Sequence, residues 1–264
     1  LGEDELPYQV MPQLNFNYRE INFWNAIDFR FNSELTNFRH QENEYTTATR
    51  LHIVPSLTLP IQGPAGSLTS EIKLLQTQYW QAPDEKDTQL AESVSRTIPQ
   101  VRLHGQINFE RPTTFFDSAF KQTLEPQFQY LYVGYEDQSD IGVYDTAQLQ
   151  EDYFGLFRDR RFSGLDRIAD ANQLTLGFTT RFLDEFNLEK FKFSLGQTLY
   201  FEDSKVLIDN QLIQESESTS VLAAELDAHL YKDWFISGSL QHDTENNKNK
   251  KNEVTLDFRP SKDK

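Results

Sequence analysis

Cysteine is absent from all 264 residues, so the chain can build neither a disulfide nor a thiolate metal site. No apolar run approaches the ~18 residues of a membrane helix, which excludes helical spanning. Positive charge is scarce: 25 Lys and Arg face 41 Asp and Glu, a net charge of −16. Nucleic-acid phosphates demand the opposite sign, so a nucleic-acid partner is not expected. Catalytic signatures are missing too, with no G-x-S-x-G elbow, H-E-x-x-H pair, Walker loop or G-x-G-x-x-G. His40, His52, His104, His229 and His242 are scattered without metal-ligand spacing. The expectation is a protein that is not an enzyme and holds no cofactor or metal. The opening Leu-Gly-Glu-Asp-Glu has neither the basic nor the apolar part of a secretory signal, so a mature or trimmed chain is expected.

Apolar residues make up only 38% of the chain, yet it holds 21 Phe, 11 Tyr and 3 Trp. A disordered chain would be poor in aromatics. Few apolar residues with many aromatics suit a wall that is greasy on one side and wet on the other. A period of two carries this division, because alternate strand residues point to opposite faces. Over 97–109, Pro99, Val101, Leu103, Ile107 and Phe109 alternate with Gln100, Arg102, His104, Gln106 and Asn108. Leu222, Ala224, Leu226 and Ala228 oppose Glu225, Asp227 and His229, while Phe191, Phe193 and Leu195 oppose Lys190, Lys192 and Ser194. Leu51, Ile53 and Leu57 oppose Arg50 and His52, and Leu174, Leu176 and Phe182 oppose Gln173, Thr175 and Arg181. The polar sets name candidate lumen-facing residues: Arg50, His52, Arg102, His104, Arg181, Lys190, Lys192, Glu225 and Asp227.

This reading gives eleven strands, near 7–18, 22–33, 45–58, 66–81, 93–110, 119–134, 171–183, 188–202, 218–231, 234–243 and 252–259. Several reach the ~9–11 residues that cross a bilayer at a tilt. Brief links alternate with long ones near 34–44, 82–92, 135–170, 203–217 and 244–251, as in outer-membrane barrels with short periplasmic turns and long outer loops. The fold class expected is all-β: an antiparallel transmembrane β-barrel, with 1–264 forming part of one barrel domain. Eleven is odd where single-chain bacterial barrels are even, and unpaired edge strands would expose backbone groups to lipid. The chain is therefore expected to be a segment of a larger barrel. A general porin or receptor barrel, or a soluble β-rich binding module, would share much of this pattern.

Charge gathers in the long links. Residues 33–44, 82–92, 134–170, 202–217 and 242–253 together hold 24 acids and 10 bases. A solvated, repulsive rim accounts for this, as does a layer of divalent cations. Pro12, Pro55, Pro99 and Pro126 stand inside expected strands, each sharing a face with an apolar residue two positions on. They mark either bulges that bend the wall or a belt of weakened pairing.

Leu124-Glu125-Pro126, Tyr130-Leu131-Tyr132-Val133 and Tyr135-Glu136-Asp137-Gln138-Ser139 are followed by Leu156-Phe157-Arg158-Asp159-Arg160-Arg161-Phe162-Ser163-Gly164-Leu165-Asp166-Arg167-Ile168 and Ala171-Asn172-Gln173. This run resembles the LptD family of lipopolysaccharide-assembly barrels (also called Imp or OstA), in the central part of its barrel. The resemblance implies an outer-membrane translocon that inserts lipopolysaccharide into the outer leaflet. Implied partners are the LptE lipoprotein plug, the other Lpt bridge components through an N-terminal jellyroll, and the barrel-assembly machinery. That jellyroll and the closing strands are expected to lie outside this chain.

At 37 residues, 134–170 exceeds the ~12–15 beyond which an unstructured loop needs an explanation. Its arginines and aspartates are numerous enough to pair internally and fold the loop inward. The loop is then either a self-paired lid or a surface for the plug or a passing saccharide. Its candidate contact residues are Tyr135, Asp137, Gln138, Arg158, Asp159, Arg161, Phe162, Gly164, Asp166, Arg167 and Asn172.

Overall fold

A computed structural model of the chain describes residues 7–40, 45–83, 90–115, 118–208, 218–231 and 233–260. Among these residues, twelve antiparallel strands form one sheet: β1 (Gln9–Trp24), β2 (Ile27–Arg39), β3 (Thr47–Gly63), β4 (Gly66–Ala82), β5 (Ser93–Ile107), β6 (Phe109–Phe115), β7 (Ser118–Val133), β8 (Ala171–Leu183), β9 (Glu189–Tyr200), β10 (Leu222–Tyr231), β11 (Trp234–Asp243) and β12 (Lys248–Phe258). Neighbours in sequence are neighbours in the sheet, except that β5 and β6 both lie along β7. The sheet does not close on itself among the described residues, with β1 and β12 at its two ends.

Period-two alternation becomes two chemically distinct faces. Leu57, Ile72, Val101 and Tyr132 are lateral neighbours across β3, β4, β5 and β7. All four are exposed, at 37–58% of their surface. One residue along the strands, Ser56, Lys73 and Gln100 make the matching row on the other face. A contiguous strip of exposed apolar side chains is disfavoured in water; against hydrocarbon it is the favourable arrangement. β3 and β4 have 17 residues each, more than enough to cross a bilayer.

Several boundaries differ from the sequence reading: β2 runs on to Arg39 through the first half of the link expected at 34–44, and β3 runs to Gly63 where a strand over 45–58 was expected. The first turn lies at Asn25-Ala26, not 19–21, because both residues take positive φ (44° and 70°) and close a two-residue hairpin between Trp24 and Ile27. Alanine is an unusual residue there, which hid the turn, and Arg19 and Glu20 stay in the ladder. The link expected at 244–251 is a tight turn over 244–247, with Lys248 already in β12. The strand expected over 93–110 divides at Asn108, whose N–H leaves the ladder to bond the Ala65 carbonyl. Parts of the links at 34–44, 82–92 and 203–217 lie outside the described residues.

The prolines explain part of this. β5 and β6 face β7 in one continuous register, and the unpaired gap between them falls opposite Glu125 and Pro126. Pro55 sits where two pairs drop out of the β3–β4 ladder without a register shift. Pro99 begins where the β5–β7 ladder ends, and its carbonyl accepts the Gly134 N–H at 2.9 Å. Only Pro12 coincides with a register shift, between Val10 and Gln13. Bulges therefore account for one of the four; the other three sit where a ladder donor is not used.

Candidate functional site

The 134–170 segment leaves the end of β7, folds back over the polar face of the sheet, and rejoins at β8. Tyr153 reaches deepest. Its hydroxyl accepts from Gln127 Nε2 at 2.8 Å and from Thr179 Oγ1 at 3.2 Å. Gln127 lies six residues back from the end of β7, which is ~20 Å along a strand. Two glycines make room for this ring. Gly177 and Gly196 are direct cross-strand partners, and a Cβ on either would come within 3.0–3.2 Å of Tyr153 or Phe157 atoms. Tyr153 is 1% exposed.

Nearer the loop's return, the centre is Asp166, which has no exposed surface. Its Oδ1 accepts from Arg50 at 2.9 Å and from the Tyr79 hydroxyl at 3.0 Å. Its Oδ2 accepts the backbone N–H groups of Tyr144 and Asp145, each at 2.7 Å, and the Thr146 hydroxyl at 3.3 Å. Arg50 also pairs with Asp145 at 2.7 Å and Glu34 at 2.8 Å, and its guanidinium lies 4.8 Å from the Phe38 ring centre. The register places Thr36, Arg50 and Tyr79 in one row and Glu34, His52, Thr77 and Arg96 in the next. Arg96 donates to Gln138 Oε1 and the Asp166 carbonyl, each at 2.7 Å, and to the Leu165 carbonyl. Gln138 closes the circuit by exchanging bonds with the Ile168 backbone N–H and carbonyl. Both ends of the loop are thereby tied to the same two arginines.

Burial works against an anion at Asp145, but the Arg50 hydrogen bonds and charge outweigh it and hold its carboxyl below the ordinary range. Burial pushes Asp166 upward, as does the Asp145 charge, against the pull of Arg50. Three of the groups facing Asp166 are N–H donors with nothing to accept a carboxyl proton, so the ionised form is the one that matches its surroundings. A third tie lies between these centres. Asp159 accepts from Lys73 at 2.6 Å and Gln100 at 3.2 Å. Burial raises its carboxyl, while the Lys73 charge and hydrogen bond prevail and lower it.

The loop does not mainly pair with itself, as its composition suggested. Arg158 with Asp152 at 3.4 Å is internal, but Asp159 and Asp166 reach strand cations instead. Strand side chains supply countercharges that a reading of the loop alone leaves out. Phe162 is buried and bridges Gln148, while Gly164 takes φ +60° against Asp145. Arg161 and Arg167 line a cavity beside Lys73. Tyr135 is exposed beneath Lys205, Asp137 bonds the Ser139 N–H, and Asn172 on β8 bonds Glu202 at 3.0 Å.

Arg50 and His52 lie under the loop, with His52 Nδ1 2.8 Å from Thr77 Oγ1. Arg102 bonds Gln129 at 2.6 Å and His104 bonds Gln127 at 3.1 Å, both beside Phe157. Arg181, Lys192 and Asp227 form a row on the same face farther from the Asp166 centre. There Arg181 pairs with Glu125 and Glu189, Lys192 pairs with Asp227, and Lys190 approaches His229. Glu225 also lies on this face, half-buried near Asp152. The sequence reading missed Glu34, Lys73, Tyr79, Arg96, Asp145 and Tyr153. Alternation with Gln100 and Arg102 marks Arg96 as polar-face, but nothing local pairs it with a loop seventy residues away. Among the described residues, no group of three or more His, Asp or Glu is placed to hold a metal.

Strands of bilayer-crossing length, one apolar outer face, and a polar face filled by the chain's own loop define part of the wall of a transmembrane β-barrel. A family model described as LPS transport system D matches residues 1–264, and the chain belongs to that family. It is 73% identical to the LPS-assembly protein LptD of Shewanella frigidimarina over 264 residues, all of this chain and 34% of that protein. It is 69% identical to that of Shewanella denitrificans over the same shares, and 44% identical to that of Pseudoalteromonas translucida over 98% of the chain and 35% of that protein. The chain thus spans about a third of the length of these relatives.

Proposed function

We propose that this chain forms part of an outer-membrane barrel that carries lipopolysaccharide to the outer leaflet; its relatives are named for LPS assembly and its family for LPS transport. The apolar face meets lipid and the loop-bearing face meets the lumen, where Arg50, His52, Arg102, His104, Arg181, Lys190, Lys192, Glu225 and Asp227 lie. The work is transport, with no covalent chemistry. One observation carries the reading beyond family membership: a 37-residue segment packed against the polar face and held there by one buried and one partly buried ion pair. A general porin keeps its bore open to water; this wall comes with its own inner lid. A lipoprotein plug (LptE), the transenvelope bridge and the barrel-assembly machinery are the partners in this reading. The loop's exposed residues, Tyr135 and Asp137 among them, are the part left for the plug or saccharide to touch.

The test is depletion of the full-length protein in the bacterium that encodes it, followed by antibody labelling of lipopolysaccharide on intact cells. Surface label should fall as the protein does. Surface label that persists through complete depletion rejects the transport role.

A further inference from the structure

Between the returning loop and strands β2–β5 lies a cavity of about 290 Å³. That is roughly ten times the ~30 Å³ of one water and at the small end of the ~300–1,000 Å³ typical of ligand pockets. It suits a polar headgroup, not a whole lipid. Its charge is anomalous for this protein. Acids outnumber bases 41 to 25 in the chain, yet the cavity is lined by Arg30, Lys73, Arg160, Arg161 and Arg167 against one acid, Asp159.

That single acid is already engaged by Lys73 at 2.6 Å. Arg167 is 7% exposed, and its guanidinium makes one hydrogen bond, at 3.3 Å to the Asp166 carbonyl. It forms no direct ion pair among the described residues, and the one carboxylate charge that acts on it, Asp166, is already bonded by Arg50 and the Tyr144 and Asp145 amides. Arg160 is exposed and likewise forms no ion pair among the described residues. A buried cation with no directly paired counterion is costly. The folded chain tolerates this one beside a space large enough to admit an anion. Guanidinium forks match the oxygens of a phosphate in two-pronged fashion.

We propose that this cavity is a binding site for a phosphate-bearing group, with Arg167 as its buried anchor and Arg160 closing over it from the open side. The group is a phosphomonoester carried on a saccharide, and only this choice of carrier rests on the lipopolysaccharide reading. Arg30 and Lys73 supply the far wall. Asp159 holds Lys73 in position and repels a second anion.

The test uses the full-length protein in lipid nanodiscs and isothermal titration with glucosamine 1-phosphate, glucosamine and inorganic phosphate. Glucosamine 1-phosphate should bind, with glucosamine weaker by roughly ten-fold or more, since a charged hydrogen-bonded pair is lost. Arg160→Gln, at an exposed position outside the loop's buried ties, should weaken glucosamine 1-phosphate by a similar factor. Arg167→Lys keeps the charge but not the fork and should weaken it several-fold. Inorganic phosphate binding as tightly as the sugar phosphate supports the phosphate site and removes the saccharide as its carrier. Equal affinity for glucosamine and its phosphate overturns the proposal, as does unchanged affinity in both variants. A wild-type protein that binds the phosphate but whose depletion leaves surface lipopolysaccharide intact would sink the transport reading and leave this site standing.

Discussion

Asp166→Asn isolates the centre that holds the loop. The change preserves shape and removes one charge. Asparagine can present only one carbonyl oxygen, whereas both carboxylate oxygens of Asp166 accept bonds, five in all. Whichever way the amide lies, its NH₂ faces either Arg50 or the backbone N–H groups of Tyr144 and Asp145, donor against donor. Breaking a buried pair by removing one partner costs ~3–5 kcal/mol when the remaining charge is stranded. Here Arg50 keeps Asp145 and Glu34, so the loss is closer to the unsatisfied donors alone, ~2–3 kcal/mol. At ~1.4 kcal/mol per factor of ten, this amounts to roughly 30- to 150-fold in the opening equilibrium of the loop. Hydrogen exchange of the full-length protein in detergent reads it directly at the Tyr144 and Asp145 amides. Exposed Asp140, changed to Asn, is the control. Exchange at Tyr144 and Asp145 accelerated less than about threefold would refute the claim that Asp166 pins the loop.

Gly196→Val should force Tyr153 out of its notch and cost ~1–3 kcal/mol as overpacking does, seen as faster exchange over 150–158 with strand amides of β3 and β4 unchanged. The Asp159 contribution to loop seating is fully present above its unfolded value of 3.8 and is lost as pH falls through its lower folded value. Lys73→Met should abolish that acid step, and an unaltered step would place its origin elsewhere. Spin labels at Leu57, Ile72, Val101 and Tyr132 should be open to oxygen and shielded from aqueous nickel complexes, whereas labels at Gln100 should show no lipid contact. Nickel accessibility at the first four would reverse the assignment of the faces.

Much of the wall is legible from alternation alone, because a strand residue's face depends on whether its position is odd or even. Val101 outside and Gln100 inside need no knowledge of any other strand. Turn positions are less legible, since Asn25-Ala26 depends on positive φ angles that the paired strands impose on an asparagine and an alanine. The division at Asn108 depends on the β3–β4 hairpin ending beside it, an event forty residues earlier in the chain.

The 134–170 segment divides the same way. Its length and its crowd of charges, read in the sequence, mark a loop that must fold against something. Its partners are a tertiary matter: Lys73 and Arg50 lie 86 and 116 residues from Asp159 and Asp166, and charge counting within the loop assigns those carboxylates to the wrong arginines. Coulomb attraction has no memory of chain order. Local pattern determined which side of each strand is wet, and only the lateral register of five strands determined which cations on that side stand under the loop.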